Sequence, residues 1–242
     1  MLLVKDSPRK NISTKPDSKS FMEIMSLLYK ALSSSKSLVF TIMAGTLYHV
    51  VLGAAQFEVI WAVEDKGFNP NTFGQINGWI FVVFGVLGSL FGGIASDWTL
   101  RKYNLPRTWF LLILTLLFMP LAFTRYLDTD SILFWVGICS SAFSLGCFYG
   151  PVFAVIQELV PPTIKGTVVA FNLLCLNMLG IALGSILFGI LADYAVTQGY
   201  ENPYTNLLVG FSCVFLVFGP ILYYLAGRFY EQDKKALIEK FN

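Results

Sequence analysis

The sequence predicts an all-α integral membrane protein with six transmembrane helices, on three observations. Of its 242 residues 55% are hydrophobic and only 13% are charged, about half the ~25% charged share of soluble domains; mean hydropathy is +0.65. Six apolar segments are each long enough to cross the ~30 Å hydrocarbon core, which takes about 20 helical residues. The lysines and arginines fall almost wholly on one side of the plane those segments imply.

The elements follow in order. Met1–Val4 is too short for the apolar core of a signal peptide. Residues 5–20 are polar, basic and rich in Ser, Pro and Asn, which predicts a flexible loop. Phe21, Ile24, Met25, Leu28 and Leu32 then recur at helical spacing, with Lys19, Glu23, Ser26 and Lys30 on other faces. That pattern predicts an amphipathic helix lying on the membrane surface, within an N-terminal arm of residues 1–37. The spans are expected at roughly 38–62, 73–96, 108–126, 132–159, 163–193 and 206–230, within a transmembrane domain 38–231. Backbone polar groups cannot be left bare in lipid, so these spans must be helices. The turns between them hold Asn69-Pro70-Asn71, Pro161-Pro162 and Asn202-Pro203, and residues 232–242 form a short polar tail.

Orientation follows from the cations. Of 17 lysines and arginines, only Lys66 and Arg125 fall on the second side. The positive-inside rule therefore puts both termini in the cytoplasm of a chain integral to a plasma membrane or bacterial inner membrane.

Several function classes are excluded. Cys139, Cys147, Cys175 and Cys213 all lie in apolar segments without a Cys-x-x-Cys pair, and His49 is the only histidine. Neither a disulfide framework nor a metal site is implied. No Gly-x-Ser-x-Gly, no intramembrane aspartate pair and no phosphate-binding Gly-rich Lys loop occurs. The chain therefore reads as no enzyme, with no cofactor and no nucleic-acid partner.

Small residues mark helix contacts. Gly78, Gly85, Ser89, Gly92 and Ser96 share a face of the second span, and Asn177, Gly180 and Gly184 share one of the fifth. In the fourth span Gly137, Ser140, Ser144, Cys147, Pro151, Ala154 and Glu158 form a small, polar seam. It suits either the wall of a water-filled cavity or a close helix contact. Gly150-Pro151 suggests a bend there.

The candidate chemistry is sparse. Glu58 and Glu158 are the acidic residues nearest the apolar regions, and charge in a membrane is costly enough to make each a coupling or substrate candidate. Both also lie near span ends, where water can reach them. His49 is nearer mid-membrane, with Gln56 seven residues on and so on the same helical face; a packing role beside Tyr48 and a proton-carrying role are both open. Asn77, Asn172, Asn177 and Gln157 add neutral polar groups.

The stretch Gly92-Gly93-Ile94-Ala95-Ser96-Asp97-Trp98-Thr99-Leu100-Arg101-Lys102 resembles the cytoplasmic signature of the major facilitator superfamily, Gly-x-x-x-Asp-Arg-x-Gly-Arg-Arg/Lys. Gly93, Asp97, Arg101 and Lys102 match in place. Trp98 and Leu100 depart from the usual cation and glycine, which suits the loop after the eighth helix better than the one after the second. Gly150-Pro151 with Gln157–Pro162 and Lys165–Ala170 is similar to the family's junction of helices ten and eleven. Gly180, Gly184 and Gly189–Asp193 look like helix eleven, and Ser7-Pro8-Arg9 with the amphipathic segment looks like the central linker. The layout most resembles the spinster-like and related organic-solute branch.

The resemblance implies the C-terminal six-helix half of a twelve-helix secondary transporter, working by alternating access on a small organic solute in the lipid bilayer. It implies that the first and fourth spans line a central cavity, with His49, Gln56, Ser144 and Tyr149 as candidates there and His49, Glu58 and Glu158 for coupling. Gly93, Asp97, Arg101 and Lys102 are the expected cytoplasmic gate, with Asp97 latching onto a helix N-terminus of an N-terminal six-helix half. Half a transporter lacks the second wall, so the alternative is a non-transporting remnant or a membrane assembly partner.

Overall fold

The computed structural model describes residues 20–241, and the expectations for residues 1–19, including Ser7-Pro8-Arg9, lie outside it. The described residues form nine α-helices, eight of which make six spans. α1 (Phe21–Ser34) precedes the first span, which comprises α2 (Lys36–Ala54), a 3-10 turn (Ala55–Phe57) and α3 (Glu58–Glu64). α4 (Pro70–Tyr103) is the second span; α5 (Arg107–Phe123), with the 3-10 turn Thr124–Tyr126, is the third; α6 (Ile132–Leu159) is the fourth. The fifth joins α7 (Lys165–Leu174), a π-helical stretch (Cys175–Ala182) and α8 (Leu183–Thr197). α9 (Pro203–Phe241) is the sixth, and it carries residues 232–241 in the same unbroken helix. Every expected span is present, each as long as its apolar segment or longer.

The ends are set by local chemistry. Asn69 Oδ1 accepts from the amides of Asn71 and Thr72, and Pro70 opens α4, where a missing amide costs nothing. α4 ends at Asn104, whose φ of 50° is the left-handed conformation that closes helices, with Arg101 and Lys102 in the last turn against the helix dipole. Ser35 and Ser131 cap α2 and α6 through their hydroxyls.

One end of the bundle, where α2 begins and α9 finishes, carries Lys36, Arg101, Lys165 and Arg228; it is called the basic end below. α4 packs along α6, α2 along α9 and along the π-helix and α8, and α5 against α6 and α9. Glycine sets several of these approaches. A Cβ on Gly53 would strike the Ile181 carbonyl, one on Gly184 the Val50 carbonyl, and one on Gly180 the His49 side chain. In α4 the contact glycines are Gly88 and Gly92, against Phe143 and Cys147 of α6, while Gly146 of α6 meets the Gly85 backbone in return. Gly78 faces open space, so the expected small-residue face is only partly a contact face. The α6 seam is likewise mixed: Gly137 and Cys147 are contacts, and Ser144 borders a cavity.

Two apolar clusters fill the interior. One, toward the basic end, includes Leu38, Leu111, Val152, Ile156, Tyr223 and Tyr230; the other, at the far end, centres on Trp61, Phe73, Phe134, Ile138 and Phe188. Val82, Val86, Leu90 and Ile94 of α4 lie exposed, a surface suited to lipid or a partner helix and not to water. α1 turns Leu28 and Ala31 into the bundle and leaves Phe21, Met22, Met25 and Tyr29 exposed, so the expected apolar stripe divides between buried and exposed positions.

α2–α3 and α9 are antiparallel, and each carries an aspartate that caps the other. Asp65 Oδ2 accepts from the Thr205 amide at 2.5 Å, and Asp233 Oδ2 accepts from the Ser37 amide at 2.6 Å and the Ser35 hydroxyl at 3.1 Å. Each carboxylate meets the positive end of its neighbour's dipole. Asp233→Ala should cost about 0.5–2 kcal/mol, as lost N-caps do. The two sites are a membrane apart, so the Asp65→Ala/Asp233→Ala loss should be the sum of the single losses in detergent melting.

Candidate functional site

Three polar clusters are threaded through the bundle. At the basic end, Arg107 at the start of α5 is the hub. Its Nη2 lies 2.6 Å from Asp97 Oδ1 and its Nη1 pairs with Glu158 Oε1. The Tyr230 hydroxyl of α9 donates to Glu158 Oε2 at 2.5 Å. The guanidinium thus ties α4, α5 and α6 together, and Glu158 extends the network to α9 through Tyr230. Arg101, which shares the expected gate motif with Asp97, is exposed and makes no ion pair among the described residues. Lys102 leans over the Trp98 ring at 4.8 Å.

In mid-bundle, His49 is buried between α2 and α6. Its Nδ1 lies 2.8 Å from the Gly45 carbonyl and its Nε2 3.1 Å from the Tyr149 hydroxyl. The carbonyl can only accept, so Nδ1 carries the proton and Nε2 accepts from Tyr149 in the neutral ring. Two of the expected cavity residues are therefore partners. Gln56 is not with them: it is exposed on the 3-10 turn. Ser144 is elsewhere too, 3.1 Å from the Tyr48 hydroxyl.

At the far end, Glu58 is 4% exposed and Arg125 is 7% exposed. Glu58 Oε1 pairs with Arg125 Nη2, and Asn77 donates to Glu58 Oε2 at 3.2 Å. The guanidinium also lies 5.0 Å from the Trp61 ring centroid and 5.6 Å from that of Tyr126. Gly137 is required beneath it, because a Cβ there would strike the Arg125 backbone. The wet span end expected for Glu58 is thus a buried ion pair. The pair borders a cavity of about 70 Å³, also lined by Tyr48, Tyr126, Ser144 and Ser212, and Tyr126 meets Ser212 at 3.2 Å. Arg125 Nε and Asn77 Oδ1 are buried without a protein partner.

Sequence reasoning missed Arg107, Arg125 and Tyr230 as site residues. Arg125 pairs with a carboxylate 67 positions away and Tyr230 with one 72 away, so no local spacing could flag them. The available signal was Arg125 itself, a cation beside an apolar segment on the otherwise nearly uncharged side. Among the described residues, no three His, Cys, Asp or Glu side chains converge as metal ligands.

A profile of the Major Facilitator Superfamily matches residues 1–185. The chain belongs to this superfamily. Its fold is similar to two crystal structures of a bacterial homologue of the human lysosomal transporter Spinster. With the inward-facing, unoccupied form the TM-score is 0.69 at 16% identity, over 90% of this chain and 53% of that one. With the inward-facing, occupied form it is 0.69 at 18% identity, over 84% and 51%. At such identities the likeness establishes the fold, and the chain spans about half the length of these transporters. No curated protein sequence matches it. The fold is thus a six-helix half of the superfamily architecture.

Proposed function

We propose that this chain is the C-terminal half of a secondary active transporter that moves a small organic solute by alternating access. What carries the reading is that six spans with one uninterrupted fold correspond to 51–53% of a twelve-helix superfamily transporter. Alternating access rocks one half against the other about a midplane site, so an N-terminal six-helix half supplies the missing wall. The basic end faces the cytoplasm, by the positive-inside rule.

In this reading His49 and Tyr149 are the polar solute contacts on the α2–α6 wall, with Ser144 and Gln56 as further candidates. His49, Glu58 and Glu158 are the coupling groups, the two carboxylates being held by Arg125 and Arg107. Gly93, Asp97, Arg101 and Lys102 belong to the cytoplasmic gate, with Arg107 as the intramolecular partner of Asp97.

Reconstitution tests this. Solute uptake into proteoliposomes should require the chain together with a matching N-terminal half. Gradient-driven uptake by the chain alone, as a monomer, overturns the two-halves reading; no uptake in either arrangement favours an assembly partner. Asp97 is half exposed, so Asp97→Asn should insert and melt like the parent while altering uptake. A variant that fails to insert makes the aspartate structural.

A further inference from the structure

α2, the α7–π-helix junction and α9 leave a lateral groove of about 590 Å³ open on the outside of the bundle. Its walls are almost wholly apolar: Val39, Met43 and Leu47 form the floor, Phe171 and Leu179 one bank, and Ile221 belongs to the other. Leu32 of α1 closes it at the basic end. Along α2 the lining runs from Val39 to Val50, a rise of about 16 Å at 1.5 Å per residue. That matches one leaflet, half of the ~30 Å hydrocarbon core.

The head of the groove is cationic. Lys36 lies three residues before Val39 and seven before Met43, on the same face of α2. Arg228 lies seven residues beyond Ile221 on α9, which runs the opposite way, so both cations stand above the apolar lining. Both are exposed, and Lys36 Nζ sits 5.0 Å from the Phe229 ring on α9, at the top of the groove. Asp233, the acidic side chain that reaches α2 here, is engaged by the Ser35 hydroxyl and the Ser37 amide. A one-leaflet apolar trough below two exposed cationic heads has the shape and charge of a phospholipid with an anionic headgroup.

We propose that this groove holds one acyl chain of an anionic diacyl phospholipid from the leaflet at the basic end, with its phosphate against Lys36 and Arg228. The lipid is a resident one, bound on the outer face of the bundle and away from the His49–Tyr149 wall. The inference rests on membrane insertion and not on the solute or its coupling.

The test is native mass spectrometry of the purified chain in detergent, titrated with dioleoyl phosphatidylglycerol or dioleoyl phosphatidylcholine. Phosphatidylglycerol should bind more tightly. Lys36→Gln/Arg228→Gln should weaken it by about tenfold to thirtyfold, on the scale of two headgroup cations, with phosphatidylcholine unchanged. Leu47→Trp, which fills the trough without touching the cations, should lower the affinity for both lipids while the circular-dichroism melt stays that of the parent. Equal affinity of the native chain for the two lipids, or unaltered lipid binding by Leu47→Trp, overturns the proposal. So does a Leu47→Trp chain that keeps its lipid but no longer associates with an N-terminal half, since the groove is then a protein interface.

Discussion

Arg125→Met is expected to destabilise the bundle by about 3–5 kcal/mol, the cost of leaving a buried carboxylate unpaired. Glu58 is almost wholly buried, and Asn77 offers it only one neutral hydrogen bond. Adding Glu58→Gln should restore most of the loss. The glutamine keeps an oxygen for Asn77 and removes the orphan charge, and exchanging both partners of a buried pair is often near neutral. Unfolding of the three proteins in mixed dodecylmaltoside–SDS micelles checks this. If Arg125→Met melts like the parent, the far-end pair is hydrated and its burial is not what holds the Thr124–Tyr126 turn to α3. The outcome also bears on transport, because a pair that stabilises this strongly only while ionised is a place where a proton could be felt.

Arg107→Ala is expected to cost about 1.5–3 kcal/mol, the worth of charged hydrogen bonds whose remaining partner stays shielded. The larger share belongs to Glu158, which is less exposed than Asp97 and is also held by Tyr230. Arg101→Ala should fall within about 0.5 kcal/mol of the parent, as surface substitutions do. In a reconstituted pair of halves, uptake should fall further with Arg107→Ala than with Arg101→Ala. Equal losses in both assays would show that the arginine inside the linear motif matters as much as the one that closes the network. The contrast separates what a motif names from what the fold connects: Asp97 sits in the motif, and its cation lies ten residues on, in the next helix.

Much of the architecture was legible before any coordinates. Six spans, their order and the family resemblance rest on local quantities: the length of apolar runs, the turn residues between them and the spacing of Gly93, Asp97, Arg101 and Lys102. Close helix approach was legible at Gly180 and Gly184, because only small residues let backbones touch. The π-helix at Cys175–Ala182 was not, since its apolar residues fit an ordinary helical period well enough. The candidate site was legible one residue at a time. His49, Tyr149, Glu58 and Glu158 stand out as polar groups in an apolar setting, yet their partners do not.

The division has a physical cause. A bilayer imposes its rule segment by segment, because each span must satisfy its own backbone and match the thickness of the hydrocarbon. Span number and the identity of the costly polar residues therefore follow from the order of amino acids along the chain. Pairing obeys no such local rule. Arg125 reaches Glu58, Arg107 reaches Glu158, and Asp233 caps α2 because packing brings distant helix ends together. Which buried charge is neutralised by which, and so which side chains act as one site, was decided only when the helices met.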